Sequence, residues 1–140
     1  MKKIKNRSLN KKELEINEFF TGLIASMVIN GIKEFPINIS SHKALEKTLN
    51  DLDYKTKDKQ INLNFKINTQ NIIGNSLTYS NAVNFMISSN LLCPVPHYPE
   101  SLTIKLNKEE APYYLVSLPG IPEYYQYIAE EFIKNYNNIK

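Results

Sequence analysis

The chain has 140 residues, of which 42% are hydrophobic and 22% are charged. This composition is ordinary for a globular protein, and the length predicts one domain that buries a core without covalent cross-links. The formal net charge of +3 is uneven, because residues 1–12 carry six cations and no acid, so the remainder carries 3 − 6 = −3. We therefore expect a basic, flexible N-terminal tail over residues 1–10 and a single α+β domain over residues 11–140.

Cysteine use and hydropathy limit where the protein can work. Cys93 is the single cysteine, which excludes an internal disulfide and argues against a secreted scaffold built on disulfides. The apolar run 19–29 follows three glutamates and has no small-residue cleavage site, so it does not resemble a signal peptide. It is also about half of the roughly 20 residues that a membrane-spanning helix needs. These features predict a cytoplasmic protein.

The first predicted element is a helix over residues 11–30. Asn10 and Glu13 have the spacing of a capping box, and Gly31 follows the expected end of the helix. Apolar residues occupy nearly every side of this segment, which is typical of a helix at the centre of a core. The alternative interpretation is a face that binds a partner protein or forms a homodimer.

The middle of the chain predicts a helix and a strand. Leu45, Leu49 and Leu52 form a narrow apolar stripe over residues 41–53, as in a surface helix packed on one side. Over residues 61–67, isoleucine, leucine and phenylalanine alternate with asparagine and lysine. That period of two predicts a strand with one buried and one exposed side.

Proline divides the last third of the chain. Six of the seven prolines are Pro94, Pro96, Pro99, Pro112, Pro119 and Pro122. Proline rarely lies inside a helix or a central strand, so Pro94 is expected to end a helix over 78–92 and Pro122 to begin the last helix. Between them, segments 102–106 and 113–118 predict a hairpin. The fold class is α+β: about four helices around a small antiparallel sheet, with a C-terminal β-hairpin followed by a C-terminal helix.

The residues with reactive side chains do not form a catalytic pattern. Cys93 and His97 are the one cysteine–histidine pair, and they supply two ligands where a structural zinc site uses four. The predicted helix C-terminus at Cys93 disfavours a thiolate. Adjacent acids at Glu109 and Glu110 fall in the predicted hairpin turn. We therefore predict a protein that is not an enzyme and uses no metal or cofactor.

Tyrosine is concentrated at the C-terminal end. Seven of the nine tyrosines lie from position 98 onward, more than we expect one side of the core to hold, and exposed tyrosine is enriched in protein interfaces. The candidate partner-binding residues are Tyr98, Tyr113, Tyr124, Tyr127, Glu109 and Glu110. They predict a small, non-catalytic regulatory protein that acts by stoichiometric protein–protein contact, such as an inhibitor, an immunity protein or an accessory protein of a phage or mobile element.

An alternative prediction is a nucleic-acid-binding regulator. Ser41 with the leucine stripe, and the order helix 41–53, strand 61–67, helix 78–92 and hairpin 102–118, resemble a winged helix-turn-helix domain. Its predicted recognition helix would expose His42, Lys43, Glu46, Lys47 and Asn50. The candidate phosphate-binding residues are Lys2, Lys3, Lys5, Arg7, Lys43, Lys47, Lys55, Lys57 and Lys59.

Overall fold

The computed structural model describes residues 12–55, 61–63, 77–95 and 98–139. The strands in these ranges are β1 (Lys12–Leu14), β2 (Glu34–Pro36), β3 (Ile61–Leu63), β4 (Leu92–Val95) and β5 (Tyr98–Ile104). The helices are α1 (Ile16–Ile29), α2 (Ile39–Lys55), α3 (Leu77–Ser88), α4 (Ala111–Val116) and α5 (Pro122–Ile139). The predicted tail over residues 1–10 lies outside the described ranges.

The principal sheet is antiparallel, with strand order β2-β5-β4. Leu102 at its centre pairs with Phe35 on one side and with Pro94 on the other. A second, two-stranded sheet joins β1 to β3 in parallel. The α+β class, with helices around a small antiparallel sheet and a helix at the C-terminal end, is confirmed.

The hairpin lies earlier in the chain than predicted. It is formed by β4 and β5, and the segment 113–118 belongs to α4 and the turn after it. The cause is that α3 ends at Ser88, four residues before its predicted end. Asn90 then adopts a left-handed conformation with φ of 66°, which turns the chain and leaves Leu92 free to start a strand. Pro94 consequently lies within β4 instead of at a helix end.

The start of α1 also differs from the prediction. Its capping box is formed by Glu15 and Glu18, and the Glu15 backbone N–H donates to Glu18 Oε1 at 3.0 Å. Residues 12–14 are thereby left outside the helix, where they pair with β3. The stop at Gly31 is confirmed, because this residue has φ of +85°, a conformation that glycine adopts without strain.

The core forms around α1. Its buried apolar residues are Phe19, Phe20, Leu23, Ile24, Ala25, Met27 and Val28. α3, α4 and α5 all pack against this helix. The interpretation of α1 as core is therefore confirmed, and the alternative of a partner or homodimer face is wrong for this helix, because the chain itself covers it.

α1 and α5 pack closely at Gly22. A Cβ atom added to Gly22 would lie 2.2 Å from Cδ1 of Tyr125. The Tyr125 hydroxyl donates a hydrogen bond to the carbonyl oxygen of Pro119. Tyr125 therefore ties α5 both to α1 and to the turn that precedes α5.

Hydrogen bonds between polar side chains join α2 to α5. Asn135 Nδ2 donates to Thr48 Oγ1 at 2.9 Å in a buried position, and Asn38 Nδ2 donates to the Tyr136 hydroxyl at 3.1 Å. Asn38 also starts α2, because its Oδ1 accepts from the Ser41 backbone N–H at 2.9 Å. These bonds fix the register between the two helices.

Candidate protein-interaction surface

α4 is a short helix with a defined start and end. Asn107 Oδ1 accepts a hydrogen bond from the Glu110 backbone N–H at 2.9 Å, which begins the turn. Pro112 follows in the first turn, where its missing N–H costs no helical hydrogen bond. At the other end, Ser117 Oγ donates to the Tyr114 carbonyl oxygen at 2.8 Å, and Gly120 reverses the chain with φ of +88°.

The two sides of α4 are both apolar, but only one of them is covered. Ala111 and Leu115, four residues apart, are buried where α4 packs on α1. Tyr113 on the opposite side is 75% exposed, and Val116, three residues further, is 68% exposed. Because residues three apart are neighbours on a helix, these two side chains form one outward apolar strip.

A further exposed apolar residue follows the helix along the chain. Ile121, in the turn before α5, is 61% exposed, and Pro112 is also exposed. We call Pro112, Tyr113, Val116 and Ile121 the α4 surface. Among the described side chains, six large hydrophobic residues are exposed. Four of the six lie between positions 113 and 121: Tyr113, Tyr114, Val116 and Ile121. This concentration distinguishes the segment from scattered surface hydrophobics, which need no explanation.

Acidic side chains border the α4 surface. Glu109 and Glu110 precede the helix, and Glu123 lies in the first turn of α5; all three are exposed. Lys108 is the one cation in segment 108–123, so this segment carries a net charge of 1 − 3 = −2.

The predicted partner-binding residues are placed in different environments. Tyr113, Glu109 and Glu110 are exposed as expected. Tyr127 is half-buried and packs against the core. Tyr98 lies in β5, but its side chain is outside what the structure describes.

The surface position predicted for Tyr124 is wrong. This side chain is 9% exposed, and its ring centroid lies 5.2 Å from that of Tyr125 in an edge-to-face contact. The physical reason is that α5 packs against α1, α2 and α4, so its buried side is wider than the single stripe of a surface helix. Tyr124 cannot dock on a partner without leaving the core.

Sequence reasoning missed three residues of the α4 surface. Val116 was expected in a strand and Pro112 only as a chain breaker, and Ile121 directly precedes Pro122, the predicted start of the last helix. The signal that was present is the pair Ala111 and Leu115, whose spacing of four residues suits one side of a helix. Pro112 at a first turn and Asn107 before it are typical helix-start residues.

The candidate phosphate-binding residues do not form a basic surface where they are described. Lys43 and Lys47 are exposed on α2, but Lys47 Nζ lies 3.6 Å from Asp51 Oδ2. His42, expected on the outward side, is buried, because it shares one side of α2 with Leu45 and Leu49, which are buried too. Lys55 ends α2, and its side chain is not described. The remaining candidates, Lys2, Lys3, Lys5, Arg7, Lys57 and Lys59, lie outside the described residues.

In the described ranges, no group of three or more histidine, cysteine, aspartate or glutamate residues is placed to hold a metal ion. Cys93 is exposed on β4, and His97 lies outside those ranges. Burial, with smaller contributions from Tyr124 and Glu18, raises the pKa of Tyr125 above its ordinary value. This shift keeps the hydroxyl protonated as a donor to Pro119.

None of the described helices has both the length and the apolar character needed to cross a bilayer. Comparison with protein-family models, with curated proteins and with solved structures returns no match.

Proposed function

We propose that this chain is a small, non-catalytic binding protein that acts in the cytoplasm by stoichiometric contact with another protein through the α4 surface. The observation that carries the proposal is the exposure of Tyr113, Val116 and Ile121 within nine residues of the chain. An apolar cluster of this kind on a small protein is typical of an interaction site. An inhibitor, an immunity protein or an accessory protein of a mobile element would all use such a contact.

The rigidity of α4 favours binding. Its inner residues Ala111 and Leu115 are anchored on α1, and Asn107 and Ser117 hold the two ends by hydrogen bonds. Docking would therefore order few backbone groups, so less of the binding free energy is lost to conformational entropy. Tyr113 contributes a large contact area with few rotatable bonds, as in many interface hot spots.

The edges of the principal sheet limit how a partner protein can bind. Both edge strands of this sheet contain proline, Pro36 in β2 and Pro94 in β4. Proline has no N–H to donate to an added strand, so extension of the sheet by a partner strand is disfavoured at both edges. We therefore expect the outward side of α4 to insert into a groove of the partner, with Tyr113 and Val116 as anchors.

The proposal is tested by affinity capture from an extract of the native host. Wild-type protein should retain a partner, and the double variant Tyr113→Ser, Val116→Ser should lose it by at least tenfold. Phe85→Ser is the matched control, because Phe85 is 47% exposed on α3 and lies outside the α4 surface. Equal recovery of every protein by the wild type and the double variant, with both folded, would contradict the proposal.

A second candidate function is the nucleic-acid-binding regulator, and the topology is the observation that favours it. With β1 and β3 set aside, the order α1, β2, α2, α3, β4, β5, with β2 paired to the last strand of the hairpin, is similar to that of a winged helix-turn-helix domain. Residues 56–76 separate α2 from α3, however, where a helix-turn-helix has three or four residues. In this order α3, and not the predicted helix 41–53, takes the position of the recognition helix.

The composition of α3 weakens this alternative. Segment 77–95 contains no charged residue, whereas helices that read DNA also contact phosphate through lysine or arginine. A gel-shift assay with duplex DNA across a range of salt concentrations decides between the two functions. Specific binding that persists at physiological salt would favour the regulator.

A further inference from the structure

The chemistry of the partner can be inferred from the border of the α4 surface. Glu109 and Glu110 are adjacent to α4 on its N-terminal side, and Glu123 follows Ile121 by two residues. All three carboxylates are exposed, and none of them has an ion-pair partner among the described residues. Lys47, by contrast, pairs with Asp51 on α2. These acids are therefore available to a partner.

A fourth carboxylate, that of Glu18, lies on the α1 side of Tyr125. Glu18 in the first turn of α1 is close enough to Tyr125 to contribute to its raised pKa, and the Tyr125 hydroxyl is bonded to Pro119 in that turn. The nearest cation before Lys108 is Lys105, whose backbone N–H donates to the Leu91 carbonyl at 2.8 Å beside the sheet. The apolar residues are thus flanked mainly by one sign of charge.

We propose that the partner of the α4 surface is a folded protein whose apolar groove is bordered by lysine and arginine side chains. This inference rests on the proposed function and adds the charge of the partner to it. Apolar anchors would supply most of the affinity, and the acids would steer the encounter and fix the orientation.

The same charges disfavour other occupants of this surface. Nucleic acid and anionic lipid both present phosphates, which carboxylates repel. A second copy of the chain would bring the same three glutamates against themselves in a two-fold contact. A basic protein is the occupant that the charge pattern fits.

The experiment uses the protein that the wild-type chain captures from host extract and that the Tyr113→Ser, Val116→Ser variant does not. Association and dissociation rates with this purified partner are measured by stopped flow between 20 and 300 mM salt for the wild type and for Glu109→Gln, Glu110→Gln. The control is Glu130→Gln, Glu131→Gln, because these residues form the same adjacent pair on α5. A zero-length carbodiimide, which joins carboxylates only to amines in direct contact, identifies the partner residues.

We expect the association rate to fall about tenfold for the Glu109, Glu110 variant and to fall with salt in the wild type. The dissociation rate and the control variant should change much less. Cross-links should join Glu109 or Glu110 to partner lysines. An association rate that neither salt nor the Glu109, Glu110 variant changes would overturn this inference while leaving the proposed function intact.

Failure to capture any partner through Tyr113 and Val116 would overturn both proposals. The chain could instead bind a second copy of itself. Dimers in sedimentation that the double serine variant abolishes would overturn the inference of a basic partner and identify a homodimer.

Discussion

The contact between Gly22 and Tyr125 depends on a single missing methyl group. An added Cβ at position 22 would meet the Tyr125 ring at 2.2 Å, so Gly22→Ala should destabilise the protein by about 1–3 kcal/mol through overpacking. This loss should exceed the gain of up to about 1 kcal/mol that alanine brings to a helix interior. Urea denaturation of the wild type and the variant measures the difference in the free energy of unfolding.

A double-mutant cycle separates packing from helix propensity. In a Tyr125→Ala background the ring is absent, so Gly22→Ala should become neutral or stabilising by up to about 1 kcal/mol. The same loss of stability in both backgrounds would show that the ring is not the cause.

Ionisation of the Tyr125 hydroxyl should make the free energy of unfolding depend on pH. Its pKa is raised in the folded state, chiefly by burial and next by Tyr124, so its contribution is fully present below about pH 10 and is lost as the pH rises further. Tyr125→Phe should lower stability at pH 8 by about 1 kcal/mol, because the bond to Pro119 is lost. Between pH 8 and 11 the wild type should lose more stability than the variant. Parallel stability curves for the two proteins would contradict this assignment.

At the scale of elements, α4 can be tested as a helix against the strand predicted for 113–118. In a strand, Tyr113 and Leu115 would share one side, because side chains alternate. In the helix, Leu115 is buried and Tyr113 is exposed. Leu115→Ala should therefore cost about 2–5 kcal/mol in the free energy of unfolding, and Tyr113→Ala less than about 0.5 kcal/mol. Similar losses for the two variants would favour the strand.

The same element shows how far sequence patterns reach. The alternation of Leu102, Ile104 and Leu106 predicted a strand that overlaps β5 at residues 102–104, and the long apolar pattern predicted a central helix over 11–30, of which residues 16–29 are helical. The segment 113–118 is too short for periodicity to separate helix from strand. Its helical conformation depends on the turn at Asn107 and on the packing of Ala111 and Leu115 against α1. The packing is a tertiary contact, which the spacing of apolar residues in the sequence does not reveal.

The candidate site was partly predictable for a related reason. Tyr113, Glu109 and Glu110 follow a turn signal, and turns lie at the surface. Tyr124 was misplaced because its burial depends on how many neighbours α5 has, which a helical projection does not show. The exposure of Val116 and Ile121 could be assigned only when the structure placed Val116 in a helix and Ile121 in the turn after it.

At the scale of the whole molecule, charge is divided between two regions. The first twelve residues carry +6 and residues 13–140 carry −3. The acids around α4 belong to the larger, negative region. A protein divided in this way can bind DNA weakly through its basic segment alone, without any surface built to read it.

This division predicts the outcome of the DNA test. We expect any binding of a short duplex at low salt to come from the cations at the start of the chain. The variant Lys2→Gln, Lys3→Gln, Lys5→Gln, Arg7→Gln should reduce the slope of log affinity against log salt by roughly three to four, at about 0.9 per phosphate contact. Partner capture through α4 should be unchanged. The control Lys43→Gln, Lys47→Gln should have little effect, since Lys47 already faces Asp51. If that control instead abolishes DNA binding, α2 is a nucleic-acid surface, and the alternative function becomes the better account of the molecule.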